Sequence, residues 1–203
     1  MNKEITKLIT VVKKHKYRNL IFDLDCTLTK LDVPWPEWNK RITRALPPDI
    51  AKKLTDMLAI EGSPWGQVVN DYLVTNKSFY DEYIAICREF ESDHFSHTPY
   101  NELMHILPQL KEMGAKLYVW TSNTRPTAER ALQDAGVLHL FSQLLTREDV
   151  TLGKPHAEGW QHFPFADDPK TCLMIGDSQN DEFVAKEVGM DYFQVRYFSK
   201  PQS

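Results

Sequence analysis

Three short apolar runs recur along the chain, and each breaks into a polar loop. Leu20-Ile21-Phe22 leads into Asp23-Leu24-Asp25, Leu117-Tyr118-Val119-Trp120 into Thr121-Ser122-Asn123, and Leu173-Met174-Ile175 into Gly176-Asp177-Ser178. Unalternated runs of this length fit strands buried on both faces of a parallel sheet. Helical patterns separate them. Residues 101–113 form one, stopped by Gly114; Pro126 opens another that runs to about Ala135 with Gly136 as its stop; 156–163 and 179–188 read as helical too. Leu144 and Leu145 fall in or near a short strand, and 192–195 make a last one. Alternating strand and helix implies right-handed parallel crossovers. The expected fold is α/β, with a doubly wound, mostly parallel Rossmann-like sheet.

Two segments stand apart from this alternation. Within residues 2–16, Ile5, Leu8, Ile9 and Val12 lie at i, i+3, i+4, i+7 spacing with lysines between them, an amphipathic helix expected to dock on the core. After Leu28 the pattern turns helical throughout, over about 37–46, 49–60, 65–74 and 78–92, with Ser63 before Pro64 as an N-cap signal. No strand is expected from there until residue 116. The chain thus divides into a core, residues 1–30 and 98–203, and an all-helical insert, residues 31–97, with hinges near 29–34 and 93–99.

At 203 residues the chain is long enough for one substantial core and a small accessory domain. A net charge of -4 argues against a nucleic-acid partner, which would call for a basic surface. No apolar run approaches a membrane span, and the N-terminal residues carry no apolar signal core. The three cysteines, Cys26, Cys87 and Cys172, are too few and scattered for a disulfide framework or a zinc site, and read as reduced apolar residues. Cytoplasmic localisation is the expectation. Oligomeric state is left open.

Asp23 and Asp25 stand at i and i+2 past a strand, so their side chains project together. In open parallel sheets ligands bind beyond the carboxyl ends of the strands, which is where this pair falls. Taken alone, the pair fits two readings: a cation or reaction that needs both carboxylates, or two solvated acids opening a loop.

The other loops bear on that choice. Asp23-Leu24-Asp25, Thr121-Ser122-Asn123, Gly153-Lys154-Pro155 and Gly176-Asp177-Ser178-Gln179-Asn180-Asp181 match, in order and context, the motifs of the haloacid dehalogenase-like (HAD) superfamily of phosphohydrolases. The resemblance covers roughly residues 18–30 and 100–197, and the helical insert resembles the cap of many members. It implies a phosphatase with Asp23 as nucleophile and Asp25 as general acid, then base. Mg²⁺ is the implied cofactor, held by the Asp23 carboxylate, the Asp25 carbonyl and Asp177, with Asp181 supporting through water or Lys154.

Lys154 supplies charge to the phosphate and to Asp23. Thr121, or alternatively Ser122, offers a hydroxyl to a phosphate oxygen, beside the N–H groups of Ser122 and Asn123; Thr121 is favoured as the first polar residue past the strand. Trp35 and Arg41, near the first hinge, are candidate substrate contacts, the alternative being cap core and solvated face. The expected substrate is a small phosphorylated metabolite, because a cap of this size would shut out a phosphoprotein. Asp25 argues against dehalogenase and phosphonate-cleaving chemistry. A sugar phosphomutase, or a non-catalytic phosphate-binding or partner-docking module on the same fold, are the alternatives.

Overall fold

A computed structural model describes residues 2–60 and 65–198. The helix start expected at Ser63 lies outside the described residues. Five parallel strands form the central sheet: β1 (Asn19–Phe22), β4 (Lys116–Trp120), β5 (Phe141–Leu145), β6 (Cys172–Gly176) and β7 (Asp191–Gln194). Their order is β5-β4-β1-β6-β7, so the chain winds outward in both directions from β1. Phe22 pairs in register with Val119 on one side and Ile175 on the other. This places Asp23, Thr121 and Asp177 at adjacent carboxyl ends.

Alternation along the strands sorts two cores. Leu20 and Phe22 face a layer formed by α1 (Lys3–His15), α6 (Asn101–Glu112) and α7 (Arg125–Asp134), where Leu117, Val119 and Ile175 also point. Ile21, Tyr118, Trp120 and Met174 face the opposite layer, built from α8 (Gln179–Val188) and the segment bearing Trp160 and Phe163. Ile5, Leu8 and Val12 of α1 are buried in the first core, so this helix spends its apolar stripe on the sheet.

Helices α2 (Trp35–Ala45), α3 (Pro48–Leu58), α4 (Gly66–Thr75) and α5 (Phe79–Asp93) share a third cluster, centred on Trp38, Ile42, Leu54, Leu73 and Phe90. Both connections to the sheet pass through a short antiparallel ribbon, β2 (Thr29–Leu31) against β3 (His97–Pro99). This ribbon corrects the expectation of no strand before residue 116. Three-residue strands leave no periodicity to read, and a pairing partner 68 residues away settles them. Residues 157–162 form a 3₁₀ helix rather than an α-helix. No helix among the described residues is long and apolar enough to cross a membrane.

Candidate active site

Asp23 leaves β1 with its N–H still bonded to the Ile175 carbonyl at 2.9 Å, so the rigidity of the sheet carries into the first catalytic candidate. The chain then turns sharply. The N–H groups of Thr27, Leu28 and Thr29 all point at the Leu24 carbonyl, at 3.2, 2.9 and 3.1 Å. Cys26 accommodates the turn in the left-handed region at φ 59°, a conformation costly for a residue with a Cβ. Asp25 is anchored as the Leu31 N–H donates to its Oδ1 at 2.8 Å. Burial raises the Asp25 carboxyl above its ordinary range, against the lowering effect of that bond.

Lys154 is the hub of the charged residues. Its ammonium donates to Asp23 Oδ1 at 2.6 Å and to Asp181 Oδ1 at 2.5 Å, and all three side chains are buried. Burial disfavours its charge, but Asp181 and Asp23 outweigh that and hold its pKa above the usual lysine value. The second Asp181 oxygen accepts from the Ser178 hydroxyl at 2.6 Å and the Ser178 N–H at 3.2 Å, closing a capping box at the start of α8. Gly176 makes this possible, since a Cβ there would fall 2.4 Å from Asp181 Oδ2.

Burial and the neighbouring Asp181 and Asp25 push Asp177 up to about 7. Burial likewise raises Asp23 well above the carboxylate range, with Lys154 opposing. Acids crowded this closely repel, and a cation relieves them. Carboxylate oxygens of Asp23, Asp177 and Asp181 lie within 4.8 Å of one another. Because Asp181 is engaged on both oxygens, Asp23 and Asp177 are the carboxylates left for a metal. Asn180, whose Oδ1 is buried without a hydrogen-bond partner, lines the same cavity. Hard oxygen donors in this number suit Mg²⁺.

Thr121 is placed differently from Ser122. Its hydroxyl donates to Asn123 Oδ1 at 2.8 Å and accepts from the Asn123 N–H at 3.0 Å, so it braces the loop. Ser122 is exposed and lines a cavity of about 330 Å³ together with Asn123, Asp23, Lys154 and Asp177. Arg41 is committed elsewhere, to Glu37 and Asp93 at 3.1 Å each. Trp35 opens α2, and its side chain lies outside the described residues.

Sequence reasoning missed three residues of this cavity. Arg147 is buried, donates to the carbonyls of Val150 and Thr151, and lies 4.7 Å over the Tyr83 ring. Asn70 bonds the backbone of Gly153 through both amide atoms. Glu91 accepts from the Thr124 N–H and hydroxyl at 3.0 and 2.6 Å. All three form contacts between the helical insert and the loops of the sheet, which no local spacing foretells.

The chain is 32% identical over 110 residues to pyrophosphatase PpaX of Bacillus cereus (strain G9842), an alignment covering 52% of this chain and 51% of that protein. It thus spans about half the length of that curated relative. Phosphoglycolate phosphatase of Vibrio vulnificus (strain YJ016) is 28% identical over 141 residues, covering 65% of this chain and 61% of that one. A crystal structure described as a predicted phosphoglycolate phosphatase from Haemophilus somnus 129pt superposes with a TM-score of 0.56 at 26% identity, over 87% of this chain and 84% of the other. The family model of the haloacid dehalogenase-like hydrolases matches residues 20–195, and the chain belongs to that family.

Proposed function

We propose that the protein is a Mg²⁺-dependent phosphatase that hydrolyses a small phosphomonoester through an aspartyl-phosphate on Asp23. The observation that carries this reading is Lys154 bonded at once to Asp23 and Asp181, beside Asp177 and lining the same cavity. The relatives named as phosphatases and a pyrophosphatase support the reaction class. Residues 31–97 act as the cap and the remainder as the catalytic core.

Asp23 attacks phosphorus while Asp25, its carboxyl raised by burial, gives its proton to the leaving alkoxide. With the alcohol gone, Asp25 takes a proton from water as that water attacks the phosphoryl group, and Asp23 is released. Lys154 keeps Asp23 oriented and meets the negative charge of the phosphoryl oxygens. Ser122, which faces the cavity, is the hydroxyl donor to phosphate in this reading, with Thr121 setting the loop. Mg²⁺, held by the carboxylates of Asp23 and Asp177 and the carbonyl of Asp25, supplies charge neutralisation between carboxylate and phosphate. The cap shields the aspartyl phosphate from water until the released alcohol has departed.

All three cysteines are free thiols, which supports a reducing, cytoplasmic setting. The net charge of -4 is consistent with a small-molecule rather than a nucleic-acid partner. Purified protein with Mg²⁺ is expected to release phosphate from p-nitrophenyl phosphate, to lose that activity in excess EDTA, and to lose it in Asp23→Asn. Activity that survives Asp23→Asn overturns the mechanism.

A further inference from the structure

The cavity has two chemically different halves. Its floor is polar, with Asp23, Asp177, Lys154 and Ser122. Its roof, drawn from the helical insert, presents Val33, Trp38, Trp65, Tyr83 and Phe90. The Trp38 and Trp65 rings meet edge to face at 5.0 Å, and Phe90 and Tyr83 belong to the same buried cluster. The roof also holds one acid, Glu91, and one amide, Asn70, whose donor and acceptor are both taken by Gly153.

Among the described residues, the helical insert itself brings no positive charge to that half, though Arg147 of the sheet loops lies over its Tyr83 ring. No described lysine or arginine of the insert lines the cavity. Two cations reach it from the sheet side. Lys154 is already bonded to Asp23 and Asp181. Arg147 donates to two backbone carbonyls, at 2.8 and 3.1 Å, and turns its face to Tyr83. An alcohol carrying a second anion would enter an aromatic chamber that holds the Glu91 carboxyl, where both lining cations are already bonded to protein oxygens. Such a group loses its hydration and must compete for a cation already partnered. An apolar or ring-bearing alcohol meets surfaces that reward its burial.

We infer that the phosphomonoester taken by this site has an uncharged, apolar or aromatic alcohol half, and that Glu91 selects against alcohols bearing a second anion. The inference rests on the proposed phosphatase only in placing the phosphoryl group over Asp23. A binding measurement separates the two, because it needs no turnover.

Phenylphosphonate and phosphonoacetate carry the same non-hydrolysable phosphoryl group on an aromatic and on an anionic body. Titration calorimetry with Mg²⁺ on the intact protein should find phenylphosphonate tighter by about tenfold or more. Trp65→Ala should narrow that preference by weakening phenylphosphonate. Glu91→Gln, which keeps an oxygen for Thr124, should narrow it by strengthening phosphonoacetate. Equal or reversed affinities, or binding of neither compound, overturn the inference. A reversal abolished by Arg147→Met would instead assign a second-anion site to Arg147. Retained preference without turnover of any phosphomonoester would leave the inference standing and overturn the phosphatase.

Discussion

The side chain of Asn70 behaves toward Gly153 as a neighbouring strand would: its amide donates to the Gly153 carbonyl at 2.7 Å and its oxygen accepts from the Gly153 N–H at 3.1 Å. Gly153 precedes Lys154, so a residue of α4 holds the backbone one position from the ammonium that contacts Asp23. The approach is close along the whole turn, since a Cβ on Gly66 would lie 3.1 Å from the Lys154 carbonyl. Substituting Asn70→Ala leaves the buried Gly153 N–H unpaired, at a cost of about 1–3 kcal/mol, while the Gly153 carbonyl keeps the His156 N–H at 3.0 Å. Part of that cost falls on the contact between the helical insert and the sheet loops. The expected result is a drop in kcat/KM of about tenfold or more with the far-ultraviolet spectrum retained. An unchanged kcat/KM would show that the contact does not matter to the working enzyme.

Gly176→Ala tests how tightly the end of β6 is fitted to Asp181. The added methyl carbon would sit 2.4 Å from Asp181 Oδ2 and 2.7 Å from its Cβ, contacts that force Asp181 or the strand end to move. Overpacking of this kind costs about 1–3 kcal/mol. Because Asp181 holds Lys154, phosphatase activity should fall further than stability does. Thermal melting and steady-state kinetics on one preparation check both.

Lys154 stands between two buried acids, and its removal should be felt in folding before catalysis is assayed. Lys154→Met strands the charges of Asp23 and Asp181 in the interior, which costs about 3–5 kcal/mol when one partner of a buried pair is lost. The double substitution Lys154→Met with Asp181→Asn removes one of the stranded charges and should recover part of the stability, without recovering activity. Urea unfolding of the single and double variants measures the coupling. Additive effects would mean that the two residues do not depend on each other.

Much of the fold was legible because it is local. Leu20 to Phe22, Leu117 to Trp120 and Leu173 to Ile175 are strands whatever surrounds them, and a parallel sheet leaves few ways to arrange their polar ends. Asp23, Thr121 and Asp177 lie side by side for that reason. The ribbon of Thr29–Leu31 with His97–Pro99 was not legible, since its strands are short and its partners distant. Arg147, Asn70 and Glu91 were hidden for a related cause. A single arginine, asparagine or glutamate carries no period, and each acquires its role only when the insert meets the sheet loops. Thr121 shows the limit from the other side: position past the strand marked the hydroxyl, yet Asn123, two residues on, occupies it.

In the proposed Mg²⁺ site, Asp177 would link metal binding to pH. Its carboxyl is pushed up to about 7 by burial and by Asp181 and Asp25, whereas an unfolded chain releases that proton in the ordinary carboxyl range. Between that range and about pH 7 the folded, metal-free protein therefore binds more protons than the unfolded one, and its stability must fall as pH rises through the window. Asp23 and Asp25, also raised, act in the same direction. Mg²⁺ competes with the Asp177 proton, so its affinity should weaken by about tenfold for each pH unit below 7 while one proton is displaced. The melting temperature without Mg²⁺ is expected to be lower at pH 8 than at pH 5.5, and the increment on adding Mg²⁺ to be larger at pH 8. Asp177→Asn should flatten the metal-free dependence and abolish most of the increment. A Mg²⁺ increment equal at both pH values would remove Asp177 from the metal site.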